Sequence, residues 1–295
     1  MHTLLVLLGC FGFCVSVAQA QSVELGPTFG VINYLGDLSG HSLEASQYNV
    51  ALGALARYRF NEEFAAAVQV NGGTITGSDR YSGNRQRNLS VQTFLGEAVA
   101  QLEYRPLRVA LFDGRHQLMP YLAAGVGAFY FNPRAERNGH YIELQPLGTE
   151  GQGMPGYAGY YRRVELSIPV GLGVEMRINK RSTIGFSANF RKTFTDYIDD
   201  VSGAYPVRED MMSADRKLAY QLSYRTPEYR DTAPVEMTGM RGNPDNMDNY
   251  VLALASYTVR IGKGSGGGTS KLSPRRAQGK PTGKLFYTPS PYHGF

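Results

Sequence analysis

The stretch VELSIPVGLGVEMRI, Val164 to Ile178, decides the fold. Val164, Leu166, Ile168, Val170, Leu172, Val174, Met176 and Ile178 are apolar, and Glu165, Ser167, Pro169, Gly171, Gly173, Glu175 and Arg177 lie between them. Strict alternation over this length means a β-strand with one apolar face. Fifteen residues at about 3.3 Å each, tilted by roughly 45°, rise about 35 Å, which is enough to cross a bilayer core. The apolar face suits lipid, and the face bearing charge and glycine suits the polar interior of a narrow barrel. Pro169 interrupts the pattern, because it has no N–H to give a closed ladder; a local bulge is the expected accommodation.

The same alternation extends outward from this strand. In STIGFSANFRKTF the apolar face is Ile184, Phe186, Ala188 and Phe190, and in NYVLALASYTVRIG it is Val251, Ala253, Ala255, Tyr257, Val259 and Ile261. Weaker versions occupy 22–35, 48–60, 63–75, 89–104 and 118–131. Together these make eight strands, the smallest common outer-membrane barrel. The links alternate in length: 36–47, 76–88, 132–162 and 198–248 are long, 61–62 and 179–181 are short, and 105–117 is intermediate. Long outer loops and short periplasmic turns are the outer-membrane pattern. A secreted β-sandwich, the alternative, has no reason to alternate in this way. The fold expected is therefore all-β: an eight-stranded antiparallel transmembrane β-barrel, integral to the outer membrane.

The two ends of the chain differ from the barrel. Leu4 to Val17 is almost unbroken apolar sequence, followed by Ala18-Gln19-Ala20. This reads as a signal peptide over 1–20, although no Lys or Arg precedes the apolar core. Both cysteines, Cys10 and Cys14, fall inside it, so residues 21–295 contain neither a disulfide nor a thiolate. After the barrel at 21–262, GKGSGGGTS opens a basic tail over 263–295, which is expected to be disordered and periplasmic. The tail holds Lys263, Lys271, Arg275, Arg276, Lys280 and Lys284 and no acid, so it carries +6 against a net charge of +5 for the whole chain, and the barrel, at −1, is close to neutral. Basicity confined to one segment argues against a nucleic-acid partner.

RKTFTDYIDDVSGAYP, Arg191 to Pro206, leaves the seventh strand for the longest loop. Lys192 shares the parity of Phe190 and should reach lipid headgroups, while Phe194 and Tyr197 suit an aromatic girdle. Asp196, Asp199 and Asp200 then fall where the chain leaves the membrane. Loop ordering is their expected role. The alternatives are a Ca²⁺ site, although the spacing matches no known ligand loop, and acid–base work by Asp199 with His140 or His41. The charges expected inside the barrel, Glu165, Glu175, Arg177 and Arg191, should pair with one another.

Several segments resemble the PorG-like family of outer-membrane barrels of the type IX secretion system. They are, in order, ELGPTFGVINYLGDL (Glu24–Leu38), RNLSVQTFLGEAVAQLEY (Arg87–Tyr104), MPYLAAGVGAFYFNPRA (Met119–Ala135), LQPLGTEGQG (Leu144–Gly153), IPVGLGV (Ile168–Val174), RKTFTDYIDDVS (Arg191–Ser202), and RGNP followed by DNYVLA (Arg241–Ala253). The resemblance covers about 21–262, includes the Asp196, Tyr197, Asp199, Asp200 loop, and stops before the tail. It implies a non-enzymatic component of the export machinery that associates with a periplasmic ring of PorK-like and PorN-like subunits, and it implies no catalytic residue, cofactor or small-molecule substrate.

The surface able to meet such a ring consists of the periplasmic turns and the tail. Arg105, Arg108 and Arg115 in the middle turn, Lys180 and Arg181 in the last, and Lys271, Arg275 and Arg276 in the tail form the candidate partner face. The alternative is a solvated basic surface near lipid headgroups. The aromatic and proline residues of the tail suit either a docking peptide or a disordered end. A stand-alone barrel binding at the cell surface through its long loops is the second functional reading.

Overall fold

The structure, a computed structural model, describes residues 22–39, 47–111, 116–230 and 239–261. The segments read above as signal peptide and tail lie outside them, as do Arg115, Lys271, Arg275 and Arg276.

Eight long strands close into an antiparallel barrel. They are β1 (Ser22–Leu35), β2 (Asn49–Arg59), β3 (Phe64–Ser78), β4 (Ser90–Tyr104), β6 (Gln117–Arg137), β8 (Val164–Arg177), β9 (Ser182–Thr193) and β10 (Asn249–Ile261). Each pairs with its neighbour in sequence, β4 joins β6, and β1 closes on β10 through eleven residue pairs from Val23↔Ile261 to Leu35↔Asn249. The closing seam depends on glycine. A Cβ on Gly26 or Gly30 would stand 1.8 or 1.9 Å from the carbonyl oxygens of Tyr257 and Ala253. Two short strands flank β6: β5 (Val109–Ala110) at its lower end and β7 (His140–Glu143) at its upper end.

All eight expected strands are present. Two details differ. β6 runs six residues past the expected end at 131, because Asn138 (φ 52°) and Gly139 (φ 77°) form a two-residue turn that folds the chain back on itself as β7. Pro169 sits in β8 without a bulge. The register to β6 is the same on both sides of it (Ala124↔Val170, Gly127↔Ser167), and the two pairs between are simply left open. The proline's missing N–H thus costs a gap in one ladder, while pairing to β9 continues through Pro169↔Arg191.

The faces divide as the alternation requires. The outside carries an apolar band that includes Val68, Val70, Leu102, Leu122, Val126, Leu172 and Phe186, all exposed. Near the end with short turns, Tyr58, Phe60, Phe64, Tyr104 and Tyr257 are exposed aromatics, with Phe64 stacked on Tyr104 at 4.9 Å. This apolar belt with an aromatic girdle is the exterior of a membrane barrel. The inside is polar and packed. Arg191 makes two 2.9 Å bonds to Glu97, which also accepts from Tyr250 Oη and Asn71 Nδ2, each at 2.8 Å. From about that level toward the cap the interior becomes mainly apolar, with Ile32, Ile75, Leu95, Phe129 and Phe131 buried.

The long links all emerge at this apolar end, and their described parts pack into a cap. It contains α1 (Asp79–Ser82), a 3-10 turn (Gln145–Leu147), α2 (Arg208–Ser213), α3 (Lys217–Ser223) and α4 (Thr226–Arg230). Leu38, Leu89, Leu144, Ile198, Val201 and Leu222 of the cap join the apolar core of the barrel. A second small core, Met154, Met211, Ala219, Tyr220 and Tyr224, holds the helices.

Candidate functional site

The Asp196–Asp200 segment lies at the centre of the cap. Tyr34, the last inward side chain of β1, reaches up between two carboxylates. Its hydroxyl contacts Asp199 Oδ2 and lies 2.9 Å from Asp248 Oδ1. One phenol has one proton to give, so the second contact needs a proton on one of the carboxyl groups. The backbone holds the rest: Val201 N–H donates to Asp199 Oδ1 at 2.9 Å and Ile198 N–H to Asp248 Oδ2 at 2.8 Å. Asp200, in the left-handed region (φ 64°), accepts from Thr149 and, at 2.8 Å, from Tyr161 Oη. Arg241 spans the group, bonding Glu150 at 2.9 Å and the Asp200 carbonyl, while Glu150 accepts from the N–H groups of Ser202 and Gly203. Arg87 clamps Asp79 and donates to the carbonyls of Asp37 and Arg241.

Asp196 is different. It is only 4 % exposed, and Ser202 stands beside its carboxylate without reaching full hydrogen-bond geometry among the described residues. Burial pushes its carboxyl up to about 8, with the charge of Asp199 adding to the effect. Burial likewise raises Asp199 to about 7 and Asp200 to about 6, Arg241 opposing it at Asp200, and it lifts Asp248 well above the usual carboxylate range. The segment is thus tied into the cap by Tyr34, Thr149, Tyr161 and backbone N–H groups.

The other readings of the segment find no support in its geometry. Among the described residues no three His, Cys, Asp or Glu are grouped to hold a metal. Asp199 is bonded to Tyr34 and to Val201 N, and His140 is exposed beside the β6–β7 turn; His41 lies outside the described residues. Tyr197 is not in the girdle. It is half-buried and stacks on Tyr161 at 4.5 Å, because its loop turns inward over the barrel; Phe194 and Lys192 do face outward.

The candidate partner face is smaller than the sequence suggests. Arg105 is buried inside the lower mouth of the barrel, held by Glu103 and by Glu175 at 3.2 Å. Arg57 and Arg59 join it, Arg57 at 2.7 Å from Glu103 and 2.6 Å from Glu175, Arg59 at 2.7 Å from both Glu24 and Glu175. Three arginines and three glutamates neutralise one another there, and the Arg105 guanidinium stacks over Tyr121. The correction has a simple cause: Arg105 follows β4 with inward parity, and three carboxylates wait in the lumen. Of the four charges expected to pair inside, Glu175 and Arg191 do so, whereas Arg177 is exposed and Glu165 is half-buried with no ion pair among the described residues. Arg108, Lys180 and Arg181 remain on the surface. They lie in the neighbouring β4–β6 and β8–β9 links, and Arg108 pairs with the exposed Glu62.

Comparison with known proteins follows this geometry. No protein of curated function matches the chain. Solved structures similar to it include Neisserial surface protein A (9 % identity, covering 81 % of this chain and 97 % of that one, TM-score 0.39). Pseudomonas aeruginosa OprG (8 %, 82 % and 96 %, 0.38) is another. A third is Ail, the attachment invasion locus protein of Yersinia pestis, in complex with a heparin analogue (10 %, 82 % and 97 %, 0.35). A family model matches residues 2–216, and the chain belongs to that family, the domain of unknown function DUF6089.

Proposed function

We propose that this barrel is a non-enzymatic component of the type IX protein secretion machinery. It anchors or organises a ring of PorK-like and PorN-like subunits at the outer membrane, with its short turns and tail in the periplasm and its long loops outside. One structural observation favours an anchor over a conduit. The interior is occupied from the Arg57–Arg59–Arg105 network at one mouth, through Arg191–Glu97, to Phe131 beneath the cap, so no polypeptide threads it. A barrel without a lumen acts through its ends and its lipid-facing wall. At the periplasmic end Arg108, Lys180 and Arg181 are the exposed cations among the described residues of the candidate face, suited to steering an acidic partner. The choice of partner rests on the resemblance of seven segments, in order across the barrel, to the PorG-like family.

A tagged pull-down from crosslinked outer membranes tests this, using the full chain and a version stopped after Lys263. Recovery of PorK-like and PorN-like subunits with the full chain is the expected result, and the shorter version assigns the contact to turns or tail. A folded, inserted barrel that recovers no ring subunit, in cells whose export survives loss of the gene, sinks the proposal. The second reading is a stand-alone surface-binding module. The observation favouring it is the ordered cap itself, since a long-loop assembly with its own core is more than a connection between strands requires.

A further inference from the structure

The cap carries a cleft that the proposed anchoring role leaves unused. The β6–β7 hairpin stands beside the cap helices, and two adjoining hollows of about 270 and 450 Å³ lie between them, sharing Arg137 and Glu228. The floor of the smaller hollow is apolar, made by Met212, Tyr220, Tyr224 and Pro227. Its rim is basic. Arg137, Arg208 and Lys217 line it, and none of the three has an ion pair among the described residues. The acid lining the smaller hollow, Glu228, is already held by Arg225 at 2.8 Å, and the larger hollow adds the exposed Glu136 on its far side.

Arg137 carries the argument. It is the last residue of β6, directly before the Asn138–Gly139 turn, and its cross-strand partner is His140. That turn fixes the arginine over the cleft. Its Nη1 is shielded from solvent and donates no hydrogen bond among the described residues. The residue as a whole is half-buried and lines both hollows without an ion pair among the described residues, so an incoming anion meets a charge that is not neutralised. Around the cleft, Val207, Leu218 and Tyr229 are exposed and extend apolar surface beyond its floor.

We propose that this cleft docks a short acidic segment of another polypeptide. One apolar or aromatic side chain seats on Met212, Tyr220, Tyr224 and Pro227, and flanking carboxylates meet Arg137, Arg208 and Lys217. The volume of the smaller hollow suits one such side chain, and the second hollow lets the segment run on. A free inorganic anion would leave the apolar floor uncovered.

The test uses the full chain in lipid nanodiscs. Random heptapeptides are selected on it, and the recovered sequences are measured by fluorescence anisotropy. The expected peptides carry Asp or Glu on both sides of one apolar residue. Arg137→Gln should weaken them at least tenfold, and so should the double variant Arg208→Gln/Lys217→Gln, which acts from the opposite wall and leaves the hairpin untouched. Peptides without acidic enrichment, or affinities that neither variant changes, overturn the proposal. Recovery of no binding peptide overturns it as well. Binding of a sulfated disaccharide in place of any peptide, dependent on Arg137, would assign the cleft to a glycan.

Discussion

At the short-turn end the interior of the barrel is dominated by paired charges, and toward the cap by aromatic and aliphatic side chains that continue into it. The lower half is cross-linked by Arg57, Arg59 and Arg105 against Glu24, Glu103 and Glu175, all buried. In the upper half Phe129, Phe131 and Tyr250 meet at ring distances of 5.5 to 5.7 Å, and Ile198 and Val201 close them from above. The two halves fill a lumen of the same width with different chemistry, and they should respond differently to damage. An ionic network is intolerant of losing one member, because the remaining charges cannot leave. An apolar core loses contacts in proportion to the volume removed.

Removing one charge from the lower half should have the largest effect. Arg57→Met leaves Glu103 and Glu175 short of a partner and should cost about 3–5 kcal/mol, read as a lower urea midpoint of the refolded barrel. Replacing Arg57 and Glu103 together by Met and Leu should recover most of that loss. A double variant no better than the single would show that the network acts as one unit and not as pairs.

In the upper half, Ile198→Ala should cost about 2–4 kcal/mol, and the loss should stay local. Protease added outside should cut within 194–248 while the β-strands remain protected. If barrel and cap melt together, the continuity of their core makes them one cooperative unit.

The cap should also depend on pH. Asp196, Asp199 and Asp200 are raised to about 8, 7 and 6, so the folded cap holds protons that an unfolded loop releases near pH 4. Their protonated forms are favoured by folding. Cap stability is therefore greatest in acid and falls as the pH rises from about 4 through about 8. Asp196→Asn should flatten that dependence and stabilise the cap at pH 8 by on the order of 1 kcal/mol, seen as slower amide exchange in 194–203. An unchanged pH profile would mean that Asp196 stays ionised, paired in a way the described residues do not reveal. The smallest effect is expected at the exposed Arg108–Glu62 pair, where Arg108→Gln should change stability by less than about 1 kcal/mol while weakening ring recovery in the pull-down.

Much of this molecule could be read before folding it. Period-two alternation placed all eight strands and their faces, because a residue in a membrane strand meets either lipid or lumen and its chemistry must match. The order of long and short links placed the cap at one end. The hairpin of β6 and β7 turns on Asn138–Gly139, a local turn signal inside a segment expected to be loop. Arg105 shows the limit of the method. Its neighbours in sequence are turn residues, and only the closed barrel brings Glu175, seventy positions away, within reach of it. The cap is the same case on a larger scale. Tyr34, Asp199 and Asp248 come from three parts of the chain, and no local pattern predicts that one phenol serves two carboxylates. Sequence alone determined which residues face lipid and how many strands cross it, since that choice is made residue by residue against the solvent. Which buried charges find partners, and which carboxyl groups must keep their protons, was decided only when closure of the barrel and packing of the cap set distances between residues remote in the chain.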